Sequence, residues 1–291
     1  MPIEIIHDEP AQLGEGPVWW KDRLWWVDID GCRLHACLPE RKEVQTFKLP
    51  SKVGAVVPCF KRDAMLLAME DGLYFFNPAN GELSRLPALG KEEMAGRFND
   101  GKCDPAGRFW AGTIAEKDGR GIGHLYRVDM DLSVTVQLEG IGCSNGLAWS
   151  RDGSRMYYID STPNRLYGFD YDLSTGSISR QEIILQYPDG PDQPRLDGMT
   201  IDRDGRLWIA LWGGGAVIRV DPLSGEELER ISLPALNVTS CAFGGPDLED
   251  LFITTASIGL TEEQALQFPE AGMLFCCRPG AYGLPAHSFS G

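Results

Sequence analysis

Residues Asn145 to Asp160 read NGLAWSRDGSRMYYID, and residues Asp197 to Trp212 read DGMTIDRDGRLWIALW. Both run from a polar residue into an apolar strand, through a turn built on Asp-Gly, and into a second strand rich in aromatics. The same template fits NDGKCDPAGRFWAGTI (Asn99 to Ile114) and, with a shorter turn, EGPVWWKDRLWWVDID (Glu15 to Asp30). Two weaker copies are GAVVPCFKRDAMLLAME (Gly54 to Glu70) and SCAFGGPDLEDLFITTA (Ser240 to Ala256). Aligned on Leu24, Met65, Phe109, Met156, Leu207 and Leu251, the copies lie 41, 44, 47, 51 and 44 residues apart. Repeats of roughly 40–50 residues suit the four-stranded blades of a β-propeller.

The rest of each period supplies the two missing strands. RLYGFDYD (Arg165 to Asp172) and AVIRVDP (Ala216 to Pro222) read as third strands, each followed by an S-T-G or L-S-G turn. ISRQEIIL (Ile178 to Leu185) and ELERISLP (Glu227 to Pro234) read as more polar fourth strands. One such sheet buries too little to be stable, whereas six packed around an axis share a continuous apolar interior. The expectation is therefore an all-β, six-bladed propeller of antiparallel blades, forming one domain over residues 1–291. Its ring is closed by the N-terminal PIEIIHD pairing into the last blade. The stretch Gly259 to Gly272 interrupts that blade as a loop or short helix, with helical spacing in LTEEQALQF. The pairs Trp19-Trp20, Trp25-Trp26 and Tyr157-Tyr158 are expected to pack between blades.

Composition narrows the function. A net charge of −15 and 27 Lys plus Arg against 42 Asp plus Glu leave no basic stripe for nucleic acid. Apolar runs fall well short of the roughly 20 residues that a membrane span needs. The start MPIEIIHDEP lacks a basic, apolar leader pattern, so a cytoplasmic protein is expected. The eight cysteines follow no zinc-finger or redox spacing and are expected to be reduced and largely buried.

In a propeller the innermost strand of each blade lines the channel, so the residue opening each repeat faces the axis near one mouth. Here these are Glu15, Asn99, Asn145 and Asp197, each followed by glycine at once or one residue later. Singly, each reads as a turn former. In a common register they converge on one point, where two carboxylates would repel without a cation. Carboxylate and amide oxygens suit a hard ion such as Ca²⁺, Mg²⁺ or Mn²⁺, with Zn²⁺ and Fe²⁺ also open. Three protein ligands leave coordination positions for water and substrate. No G-x-S-x-G is present, and His7, His35, His124 and His287 are scattered; only His124 falls near the proposed mouth.

The segments LGEGPVWW around Glu15, GRFNDGKCDPAGRFWAGT around Asn99, CSNGLAWS around Asn145 and LDGMTIDRDGRLWIALWGGGAVIRVDP around Asp197, with CAFGG and PEAGMLF near the end, resemble the senescence marker protein-30, gluconolactonase and regucalcin family over essentially the full length. The resemblance implies metal-dependent hydrolysis of sugar-acid lactones, with one divalent ion held by Glu15, Asn145 and Asp197. It places Arg97 and Asn99 at substrate-contacting positions and makes Asp197 also the acid/base. A further substrate-contacting glutamate is expected after the T-x-A strand, where this chain reads TIAEKDGRG. Glu116 fills that role, or Lys117 takes its register. The expected partner is a small sugar lactone, met by a monomer or weak oligomer. The alternatives are a metal-dependent esterase or phosphotriesterase, and a non-enzymatic calcium-binding regulator or scaffold.

Overall fold

The computed structural model describes residues 2–90, 94–114 and 122–291. Within them the chain forms six four-stranded antiparallel sheets, arranged as a six-bladed propeller. The innermost strands are Gly14–Trp20, Val53–Pro58, Arg97–Cys103, Ser144–Trp149, Arg195–Ile201 and Asn237–Gly244, and each packs against its two neighbours in a closed ring. The first five blades are each built from consecutive strands. The sixth takes Asn237–Gly244, Asp250–Ala256 and Leu274–Cys277 from the end of the chain and Glu4–His7 from its start. The N-terminal strand thus becomes the outermost strand of the last blade, as PIEIIHD suggested, and the two ends of the chain close the ring within one sheet. LTEEQALQF forms a short helix, Glu262–Gln267, with Thr261 and Gln264 in a reciprocal capping box.

Burial falls from axis to rim. Every residue of Asn237–Gly244 is buried, whereas Ser177–Gln186, an outermost strand, is mostly exposed. The aromatic pairs of the second strands are buried between blades. Trp110 of the third blade and Trp149 and Tyr171 of the fourth form a mutually edge-on trio with centroids about 6 Å apart. Trp19 and Trp20 are only half-buried, with Trp19 stacked on Phe252 of the sixth blade.

Two Asp-turn-Trp units repeat one buried arrangement. Asp104 accepts from the backbone N–H groups of Ala106 and Arg108, from the Arg108 guanidinium, from Trp110 Nε1 at 3.1 Å and from the Tyr171 hydroxyl. Asp202 accepts from the N–H groups of Asp204 and Arg206, from Trp208 Nε1 at 3.0 Å and from Arg219. These acids fasten the turn between first and second strands and belong to the scaffold.

The last residues form a strap that the repeat pattern does not contain. Gly283 donates to Leu248 O and Arg203 N–H to Tyr282 O; farther along, Phe289 exchanges backbone bonds with Pro58 and Phe60, and Ser290 donates to Gly107 O. The strap therefore crosses the channel end opposite Glu15, from the fifth and sixth blades to the second and third. Leu284 to His287 line a cavity of about 90 Å³ there, and the Phe289 side chain is fully buried. Among the described residues no helix is long and apolar enough to cross a membrane.

Candidate functional site

The polar-Gly sequences that open the repeats are not turns. All lie inside innermost strands, at a level where each of the six carries a β-bulge. The pairing slips between Glu15 and Val18, Val53 and Ala55, Phe98 and Gly101, Asn145 and Leu147, Leu196 and Met199, and Val238 and Ser240. A bulge re-aims side chains out of the ladder and recurs beside active sites; here the bulges carry Glu15, Asn99, Asn145 and Asp197 in four of the blades. In the second blade the position falls to Gly54, where a Cβ would lie 2.4 Å from Phe98 O, so that blade can offer no ligand.

The approach to three of the bulges is pinned from outside. Asp28 accepts from the N–H of Leu13 and Asp160 from that of Cys143, both at 2.9 Å, and the Asn164 side chain accepts from Leu196 N–H at 2.8 Å. Glu15, Asn145 and Asp197 each follow within two residues.

Glu15, Arg97, Asn99, Asn145 and Asp197 all line one cavity of about 220 Å³, with Leu13, Ile114, Cys143, Ser161, Arg195 and Trp212 completing its wall. Glu15, Asn99, Asn145 and Asp197 are buried side chains. Glu116 and Lys117 lie outside the described residues. His124 is not among the lining residues; its ring packs on Tyr126 in the third strand of its blade.

The amides are held in a fixed order. Asn145 Nδ2 donates to Ser161 Oγ at 2.8 Å, which leaves Asn145 Oδ1 for the cavity side. Asn99 Nδ2 donates to Asn145 Oδ1 at 3.1 Å and to Ser144 O at 2.9 Å, while Asn99 Oδ1 accepts from Arg97 Nη1 at 3.0 Å. Asn99 therefore turns its donors toward the other side chains and its oxygen toward Arg97.

Burial holds the Glu15 carboxyl well above the usual carboxylate range, and the charges of Asp197 and Asp100 push it further; the Gly16 N–H and Arg97 oppose them. Burial and then Asp100 do the same to Asp197, against the Gly198 N–H and a hydrogen bond with Glu15. Asp100, the middle residue of N-D-G, lines the far cavity and is raised by burial, with Lys102 opposing. Lys102 donates to Met199 O at 2.6 Å, and burial lowers its own pKa. Sequence reasoning passed over Asp100, although it is part of the quoted motif. It also passed over Ser161 and Arg195, whose place in the cavity depends on the bulge register.

No group of three or more His, Cys, Asp or Glu side chains among the described residues has metal-binding geometry. The candidate set is two carboxylates and an amide. It nevertheless fits a hard divalent cation: two carboxyls, raised by burial and by the charge of Asp100, face an oxygen oriented by Ser161. A shared cation is the counter-charge that relieves that repulsion.

A family model described as SMP-30/Gluconolactonase/LRE-like region matches residues 13–257. The sugar lactone lactonase candidate YvrE of Bacillus subtilis is 38% identical over 293 residues, covering 100% of this chain and 99% of its own. Regucalcin of Danio rerio is 36% identical, covering 99% of this chain and 98% of its own. The solved structure of regucalcin from Agrobacterium tumefaciens, described as a calcium-binding protein, superposes with a TM-score of 0.89 at 28% identity, covering 98% of this chain and 96% of its own. With this propeller, this register of polar residues and these relatives along its whole length, the chain belongs to the SMP-30/gluconolactonase/LRE-like family.

Proposed function

We propose that this protein is a metal-dependent lactonase that opens sugar-acid lactones, converting an aldonolactone to its aldonic acid. The observation that carries the reading is the meeting of Glu15, Asn145 and Asp197 with Arg97 and Asn99 in one small cavity. Its 220 Å³ lies below the roughly 300–1,000 Å³ usual for drug-sized ligands, a size for a single sugar ring. The name of the B. subtilis relative supports the substrate class.

Glu15, Asn145 and Asp197 would hold one divalent ion, which when bound supplies Lewis-acid polarisation of the lactone carbonyl. Its identity among Ca²⁺, Mg²⁺, Mn²⁺, Zn²⁺ and Fe²⁺ is for measurement; the calcium-binding relative supports Ca²⁺. The Arg97 guanidinium and the Asn99 amide hydrogen-bond ring hydroxyls and fix the ring before reaction. The Asp197 carboxylate accepts the proton of the attacking water, at an atom that the bulge aims into the cavity. Burial alone would leave this carboxyl protonated; a positive charge shared with Glu15 would keep it ionised and able to accept a proton. Glu116 or Lys117, two and three residues after Ile114 in the sequence, would supply a further substrate contact.

We read the protein as cytoplasmic and as a monomer or weak oligomer; its eight free cysteines are in keeping with a reducing compartment. A panel of aldonolactones, simple esters and organophosphates, assayed alongside metal content, tests the reading. Preferred turnover of aldonolactones supports it. Faster ester or phosphotriester hydrolysis, or stoichiometric calcium binding with no hydrolysis, would replace it.

A further inference from the structure

Among the described residues, every tryptophan but one has a ring or a cation against it. Trp19 stacks on Phe252, Trp25 on Phe47 and Trp26 on His35; Trp110 and Trp149 meet edge-on, Trp208 meets Phe243, and Lys21 Nζ lies over Trp20. The exception is Trp212, which is half-buried. Among the described residues no ring or cation stacks on its indole, and no acceptor meets its Nε1. It lines the cavity that holds Glu15, Asn145 and Asp197.

The repeat shows that scaffold packing does not account for this ring. Trp212 ends the second strand of its blade, opposite the first residue of the innermost strand. The equivalent residues of the other blades are Asp28, Met69, Ile114, Asp160 and Ala256. Asp28, Met69, Asp160 and Ala256 are buried, and the two acids fasten the backbone at Leu13 and Cys143. Ile114 and Trp212 instead stay half-buried, and both line the cavity. The indole is seated from behind by the loop after the sixth blade's second strand. At Gly259, whose φ is +76°, a Cβ would lie 3.4 Å from Trp212 Cζ2. What remains is a large apolar surface and a free N–H donor on a cavity of about 220 Å³. Covering such a surface with C–H groups is favourable.

Building on the lactonase reading, we propose that Trp212 is the stacking platform of the substrate, with one C–H face of the lactone ring lying on its indole. A sugar ring matches both halves of this side chain: its face is apolar, and a hydroxyl at its edge accepts from Nε1. Pockets of this kind take their binding energy from apolar and aromatic walls and their orientation from a few polar groups. Trp212 is thereby a specificity-determining residue, because an axial hydroxyl on the stacked face would hold the ring off the indole.

The test uses metal-loaded wild type, Trp212→Phe and Trp212→Leu on the preferred aldonolactone. Trp212→Leu, which keeps apolar bulk without an aromatic face, should raise KM by about tenfold with a much smaller change in kcat, the mark of lost ring binding. Trp212→Phe should keep most of the affinity. An unmoved KM in Trp212→Leu, or a loss carried by kcat and equal in both variants, would overturn the assignment. A second readout is free of turnover: an aldonolactam, whose amide is inert to hydrolysis, should change the tryptophan fluorescence of wild type on binding, and that change should be lost in Trp212→Phe. If no lactone is hydrolysed, the lactonase reading fails separately. The platform is then judged by calorimetry with the lactam: binding about tenfold weaker in Trp212→Leu supports it, and equal affinity, or no binding to wild type, overturns it.

Discussion

The side-chain amide of Asn99 donates to the amide oxygen of Asn145 at 3.1 Å, across the seam between the third and fourth blades. One member of this pair offers an oxygen to the candidate metal position, and the other offers a nitrogen and faces Arg97. Two asparagines at equivalent repeat positions therefore take different chemical parts.

Asn145→Ala should lose bound metal, whereas Asn99→Ala should keep it and lower kcat/KM on the preferred lactone by about 10- to 100-fold, the range for a group that orients ligand or substrate. Metal analysis of both purified variants, with kinetics, checks this. Metal loss in Asn99→Ala would move that residue into the ligand set.

Ser161 sets which end of the Asn145 amide faces the cavity. Ser161→Ala should weaken metal affinity by about 10- to 100-fold with little change in fold, read by calorimetric titration of metal into stripped protein. Unchanged affinity would show that the amide needs no such support.

Glu15 and Asp197 sit above the usual carboxylate range first because they are buried and then because of neighbouring carboxylate charge, and a bound cation offsets both. An acid whose folded pKa is raised contributes stability below its unfolded pKa, and that contribution is lost as pH rises toward the folded value. In metal-free protein this loss should begin above about pH 4. Urea titrations across pH should show metal-free wild type falling relative to metal-free Asp197→Asn, and the gap should close when metal is added. Parallel curves for the two proteins without metal would contradict a raised Asp197 pKa.

Asp104 is an acid of the opposite kind, with no exposure and partners on every side. Asp104→Ala leaves Arg108 without its buried partner and should cost about 3–5 kcal/mol of stability, while the folded fraction keeps its metal content and KM. A change in metal binding at full stability would mean that the Asp-turn-Trp unit reaches the site.

Much of this was legible in the sequence. The second strands recur at intervals of 41 to 51 residues, most of them with aromatics, because inter-blade packing needs large apolar side chains at one register, and that periodicity survives in the text. Glu15, Asn99, Asn145 and Asp197 were legible as a set for the same reason. The bulges were not: N-D-G and D-G-M read locally as turns, and only pairing with a second strand shows them as slips inside a strand. Arg195 was hidden by that slip, since its place above Asp197 follows from bulge geometry rather than residue type. Asp100 was passed over because the repeat template has one axial residue per blade, and the bulge in the third blade exposes two to the channel. The strap from Gly280 to Gly291 breaks the repeat, so periodicity could not announce it.

On the proposed mechanism, lactone hydrolysis depends on a cation held by Glu15, Asn145 and Asp197. The most direct measurement is initial hydrolysis of an aldonolactone, followed by pH-stat above the spontaneous rate, in metal-stripped protein before and after titration with Ca²⁺, Mg²⁺, Mn²⁺, Zn²⁺ and Fe²⁺. The account predicts no rate above background without metal and recovery with at least one of these ions, a recovery that Asp197→Asn does not share. Full activity in protein verified to be metal-free would contradict it.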